Sequence, residues 1–133
     1  MLSGRFLLAV ILIAIADSFI QWLFVGFLFH KYQAATPTVW RKETSRSYAA
    51  STALYLLFAL VFTTVIWLWL HRYGRINLLD GIEFGGLCWL AFVIPPQIES
   101  AIYVNFSPMF VVGKCLGGLA ECTIAAILAV SIL

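Results

Sequence analysis

Four long apolar stretches, Phe6–Phe29, Tyr48–Leu70, Leu79–Ile102 and Pro108–Leu133, take up most of this 133-residue chain. A hydrocarbon core of about 30 Å is crossed by about 20 helical residues, so each stretch is long enough to span it. Strands are a poor fit, because a membrane barrel shows short segments that alternate apolar and polar residues. Within lipid, a helix satisfies its backbone hydrogen bonds inside one segment. Composition points the same way: 63% of residues are hydrophobic, 11% are charged and mean hydropathy is +1.01. Soluble domains average about 45–50% apolar and about 25% charged residues. The expected fold is all-α: one integral membrane four-helix bundle over residues 1–133 with short loops and lipid around it.

The first stretch is too long for a signal-peptide core of about 7–15 residues. Gln33-Ala34-Ala35-Thr36 is also a poor cleavage site, so Phe6–Phe29 is read as a retained span. Loop 1 carries Lys31, Arg41, Lys42 and Arg46, while the other side carries Arg5, Arg72, Arg75 and the terminal amine. Positive charge favours the cytoplasm. The balance leans to loop 1 inside, and its evenness also allows insertion in both orientations. In loop 1, Thr36-Pro37 reads either as the start of a short interfacial helix that seats Trp40 at the headgroups, or as plain polar loop. Trp67, Trp69 and Tyr73 close span 2 as an aromatic belt.

Glycine recurs in two echoing motifs, "GIEFGGL" from Gly81 and "GKCLGGL" from Gly113. Burying leucine gains little in lipid, so helices there associate through small-residue faces that let backbones approach. Gly81, Gly85 and Gly86 form one such face, and Gly113, Gly117 and Gly118 form another. Each lies near the start of its span, and the two spans are antiparallel. The faces therefore sit on opposite sides of the bilayer, and each is expected to receive span 1, span 2 or another chain.

Ionisable residues within a membrane are costly and face the bundle interior or a cavity. At about 1.5 Å per residue, Asp17 and Glu121 lie near mid-membrane and Glu83 lies shallowly. Glu99 and Lys114 share a side at matching depth, which predicts an ion pair. Lys114, Gly117, Gly118, Glu121 and Ala125 fall on one face of span 4, and Asp17, Ser18 and Gln21 form a polar cluster facing Glu121 in depth. Two adjacent acids do not both ionise cheaply. The pair reads as a structural shared-proton contact or as a proton or cation site. The prolines of Ile94-Pro95-Pro96 lack N–H groups, so the carbonyls of Ala91 and Phe92 lose donors and span 3 is expected to kink or break.

Several chemistries find no support. His30 and His71 end spans on opposite sides, which disfavours a bis-histidine haem. The chain has no Walker loop, Rossmann glycine set, H-E-x-x-H or G-x-S-x-G. Cys88, Cys115 and Cys122 form no C-x-x-C and read as small apolar residues. The expectation is a non-enzyme with no cofactor and no nucleic-acid partner.

Gln21-Trp-Leu-Phe-Val-Gly-Phe-Leu-Phe-His-Lys31, followed by Trp40-Arg-Lys42, resembles the end of span 1 in the small four-span membrane proteins called "domain of unknown function 1761". Gly81 through Phe92, then Asn105, Gly113 and Gly117, resemble that family's span 3 and the start of its span 4. The chain departs from the family in lacking its Ser-Pro, in having His30 for a glycine and in its longer spacing to Trp40. The resemblance implies four spans and no activity. Two functions fit these readings. One is a non-catalytic protein acting through helix docking, as a homo-oligomer or an accessory subunit of a membrane complex. The other is a small proton- or cation-coupled transporter or channel.

Overall fold

The structure, a computed structural model, describes residues 4–133. The terminal amine counted above lies outside those residues. Four helices are long and apolar enough to cross a membrane: span 1 Gly4–Leu28, span 2 Ser45–Tyr73, span 3 Leu78–Tyr103 and span 4 Pro108–Ile132. The described residues contain no strand.

Local chemistry sets the ends. Thr44 and Ser47 form a reciprocal capping box that starts span 2 three residues before the expected Tyr48. Asn77 and Asp80 do the same for span 3. Such boxes satisfy orphan backbone N–H groups that water would otherwise have to serve. Gly74 stops span 2 with φ +84°, a left-handed value that side chains resist. Pro108 occupies the first turn of span 4, where its missing N–H costs nothing.

Loop 1 carries only short helical pieces, one of them starting at the expected Thr36-Pro37. It holds a short helix, His30–Ala34, and a single 3₁₀ turn, Pro37–Val39. The Thr36 side chain caps no backbone N–H there. Instead its Oγ1 accepts a 3.4 Å bond from Trp40 Nε1. The Trp40 ring packs on Phe106 and Phe110, with centroids 5.1 and 4.8 Å away, and so pins loop 1 to the connection between spans 3 and 4.

Span 4 is the central helix, lying along spans 1 and 3 and touching span 2 more lightly. The core is built by Ile13 and Ala14 of span 1, Ala59, Phe62 and Ile66 of span 2, and Ala125, Ala126 and Ala129 of span 4. Alanine at these crossings allows close backbone approach, the main source of helix adhesion in lipid. Span 3 stands at the edge, its apolar window 11% buried against 33% for spans 1 and 4. Phe84 of span 3 still reaches span 2, with its ring 5.6 Å from Phe62 and 5.5 Å from Trp69.

Two spans contain π-helical segments: Trp22–Leu28 in span 1 and Trp89–Val93 in span 3. The second answers the Pro95-Pro96 expectation. The chain widens its turn just before the prolines, with the Ile94 N–H reaching the Trp89 carbonyl. Span 3 then restarts as α-helix at Ile94 with the prolines in its first turn, so the span bends its hydrogen-bond pattern without ending.

Candidate intramembrane polar site

The glycines show how the helices close around the site. A Cβ on Gly85 would stand 2.6 Å from the Cys122 carbonyl oxygen, and one on Gly81 would stand 2.8 Å from Val130 Cγ2. The first face is thus filled by the far half of span 4. That neighbour was not among the three expected, and it follows from antiparallel pairing: the start of span 3 meets the end of span 4. Phe29 sits over Gly113 and Phe24 over Gly117, so span 1 fills the second face. Val93 of span 3 covers Gly118. Gly86 differs, because a Cβ there meets nothing within 4 Å. It packs no helix of this chain, since Gly85 already faces span 4 and its neighbour is turned outward.

The segment Gly113–Gly118 therefore lies between the two π-helical segments. Trp89 Nε1 donates a 2.8 Å bond to the Cys115 carbonyl and ties span 3 to that segment. π-turns shift helical register by one residue, and they recur at functional sites. Here they carry Phe24 against Gly117 and Val93 against Gly118, about one turn beyond Lys114.

Asp17 is the most deeply placed charge, 1% exposed. Neither of its carboxyl oxygens has a hydrogen-bond partner among the described residues. Glu121 Oε1 is likewise buried without a partner. The two acids are close enough to repel each other. No hydrogen bond joins them, so the shared-proton contact is not formed directly. The Gln21 amide lies alongside the Glu121 carboxyl. Ser18 takes no part, because its hydroxyl donates to the Ala14 carbonyl at 2.9 Å.

The expected Glu99–Lys114 pair does not form. Glu99 is exposed on the outer side of span 3, while Lys114 is half-buried. The charge partners of Lys114 are Glu121 and Cys115 of its own helix. Depth alone matched the two residues; the azimuth of span 3 turned Glu99 away. Glu83 is also exposed. The small-residue face of span 4 is retained, with Gly117, Gly118 and Ala125 buried and Lys114 and Glu121 half-buried beside them.

Two neighbours of the acids and one further buried polar group escaped the sequence reading. Tyr55 of span 2 interacts with both Asp17 and Glu121. Cys122 interacts with both acids and with Cys88. Thr63, fully buried on span 2, has an unpartnered hydroxyl. Only Tyr55 left a trace, as a polar-tipped aromatic at mid-span, and that trace is common to lipid-facing tyrosines. Among the described residues no three His, Cys, Asp or Glu side chains converge as a metal site.

Comparison of the chain with known protein families, with curated proteins and with solved structures gives no match. The likeness to the four-span family thus rests on the residues quoted for it. What stands on structure is a helical bundle with four helices long and apolar enough to cross a membrane, with Asp17 buried and Glu121 half-buried at mid-span.

Proposed function

We propose that this protein is a small proton- or cation-coupled transporter or channel whose ion site is built by Asp17 and Glu121, with Gln21, Tyr55 and Lys114 around them. The observation that carries this reading is the set of three carboxylate oxygens buried without a hydrogen-bond partner. A carboxylate at the bilayer centre costs about 2.5–3.5 kcal/mol even on insertion scales. A purely structural acid would recover that cost through donors, and Asp17 has none among the described residues. A site that must bind and release an ion gains from leaving its oxygens free. The test is flux in proteoliposomes carrying a pH or potassium gradient and an internal reporter. Gradient collapse in the wild type, lost in Asp17→Asn, supports the reading. Vesicles no leakier than empty ones, or equal flux in Asp17→Asn, refute it.

A second reading is favoured by one separate observation. Gly86 lines a shallow outer groove of about 460 Å³ with Glu83, Leu87, Trp89, Leu90 and Leu119. An open small residue beside an exposed acid on the least buried span suits docking of another membrane helix, whether a second copy or a subunit of a complex. Five of the six glycines are already filled within the chain, which leaves this groove as the remaining small-residue surface.

A further inference from the structure

Among the described residues the interior charges are few enough to count. Span 1 contributes Asp17 and the neutral Gln21, and span 2 contributes Tyr55. Span 3 contributes the Cys88 thiol, its acids Glu83 and Glu99 being exposed. Span 4 contributes Lys114, Glu121 and the Cys115 and Cys122 thiols. With every acid ionised, two carboxylates face one ammonium, and one negative charge is left over. An uncompensated charge in a low-dielectric interior is neutralised rather than kept.

We propose that this cluster binds a single proton, that the proton sits on Asp17, and that Lys114 is the counter-charge that keeps Glu121 ionised. This rests on the ion-site reading above and names its ligand. Lys114 and Glu121 are seven residues apart on one helix face, with only glycine at the two positions between them on that face. Side chains on a helix tilt toward its N-terminus, so the Glu121 carboxyl leans toward Lys114. Glu121 is half-buried and has the Gln21 amide beside it. Asp17 has neither aid: it is fully buried, no donor reaches it, and the charge it meets is the carboxylate of Glu121.

The donor set favours a proton over a metal cation. Hard cations take about six or more oxygen ligands. The cluster offers two carboxyls, one amide oxygen and the Tyr55 hydroxyl, which reach six oxygens only if both carboxylates bind through both of their oxygens. The Lys114 ammonium opposes a second cation, and the nearby Ser18 hydroxyl is committed to Ala14. A proton needs one oxygen. Its release would leave Asp17 and Glu121 facing each other ionised, which favours opening toward water or prompt reprotonation.

Infrared difference spectroscopy on the purified protein at neutral pH tests the assignment without any flux measurement. The expected result is one protonated-carboxyl band that shifts on carboxyl-¹³C-aspartate labelling and not on glutamate labelling. Asp17→Asn should remove it and Glu121→Gln should keep it. Lys114→Met should add a second band, from Glu121. No band in the wild type, or a band that moves with glutamate labelling, overturns the proposal, and labelling decides this even if Asp17→Asn does not fold. A sodium-dependent rise in thermal stability that is lost in Asp17→Asn would also overturn it, in favour of a metal cation. An aspartate band with no flux retains the proton site and discards transport; flux with no aspartate band does the reverse.

Discussion

The two ends of the bundle are packed on different principles. The end holding the start of span 1 and the finish of span 4 is dry and regular. Ile13, Ala59, Ile66, Ala125, Ala126 and Ala129 are all fully buried there, on unbroken α-helices. The other end holds both π-helical segments, the glycines of span 4 and Lys114. Its aromatic and branched side chains reach across to glycine instead of alanine meeting alanine. No residue of 45–57 in span 2 is fully buried, Tyr55 being half-buried there, and every fully buried residue of the span lies at Ala59 or beyond. Asp17 and Glu121 sit at the junction. The contrast separates an anchor, where helices are held by backbone proximity, from a half where side chains do the holding.

Substitutions can break this comparison, and the largest effect belongs to the anchor. Gly85→Leu places a side chain against the Cys122 backbone carbonyl, which cannot swing aside. Overpacking costs about 1–3 kcal/mol where neighbours yield, and more where they do not. Thermal unfolding in detergent should show Gly85→Leu severely destabilised and Gly113→Leu less so, since Phe29 is a side chain that can rotate away. Equal losses would erase the distinction between the two ends.

Next comes Ile66→Ala, which opens a cavity in the dry core at a cost of about 2–5 kcal/mol. The same truncation at Phe24, over Gly117, should cost less, because the π-turn that carries Phe24 buries no residue of its own. A Phe24→Ala variant as unstable as Ile66→Ala would show that both ends are anchors.

Trp89→Phe removes the bond from the indole to the Cys115 carbonyl while keeping the ring. The expected loss is about 1 kcal/mol, the net worth of one hydrogen bond. Amide exchange should rise in residues 113–118 and stay unchanged near Ala125. Uniform exchange along span 4 would argue against two independent halves.

The smallest effects are expected on the outer face of span 3. Glu99→Gln should shift stability by less than about 0.5 kcal/mol, as for surface changes away from special features. Combined with Lys114→Gln it should be additive, since the two do not pair. Gly86→Leu should leave the fold intact, and a native gel then reads the docking groove directly: loss of an assembly seen in the wild type supports it, and an unchanged assembly removes it.

What could be read from the residues was whatever depends on one helix at a time. Length and apolarity determined four spans, because a helix in lipid closes its own backbone bonds. Periodicity placed Lys114, Gly117, Gly118, Glu121 and Ala125 on one face of span 4. Depth counting put Asp17 beside Glu121, because rise per residue is constant. Questions involving two helices were different. Glu99 matched Lys114 in depth but not in azimuth, and rotation about a helix axis is set by its packing partners. Gly85 and Gly86 are adjacent in the chain, and only the position of span 4 decided that one is buried against Cys122 and the other left open. Tyr55 and Cys122 joined the acids, and Cys88 joined Cys122, for the same reason. The prolines announced a disturbance in span 3, yet its form, a wide turn one step upstream, came from keeping Val93 against Gly118 and Trp89 bonded to Cys115. A sequence specifies how far along a span a side chain lies. Which neighbour it faces is settled when the helices pack, since in lipid no solvent-facing side fixes each helix's rotation beforehand.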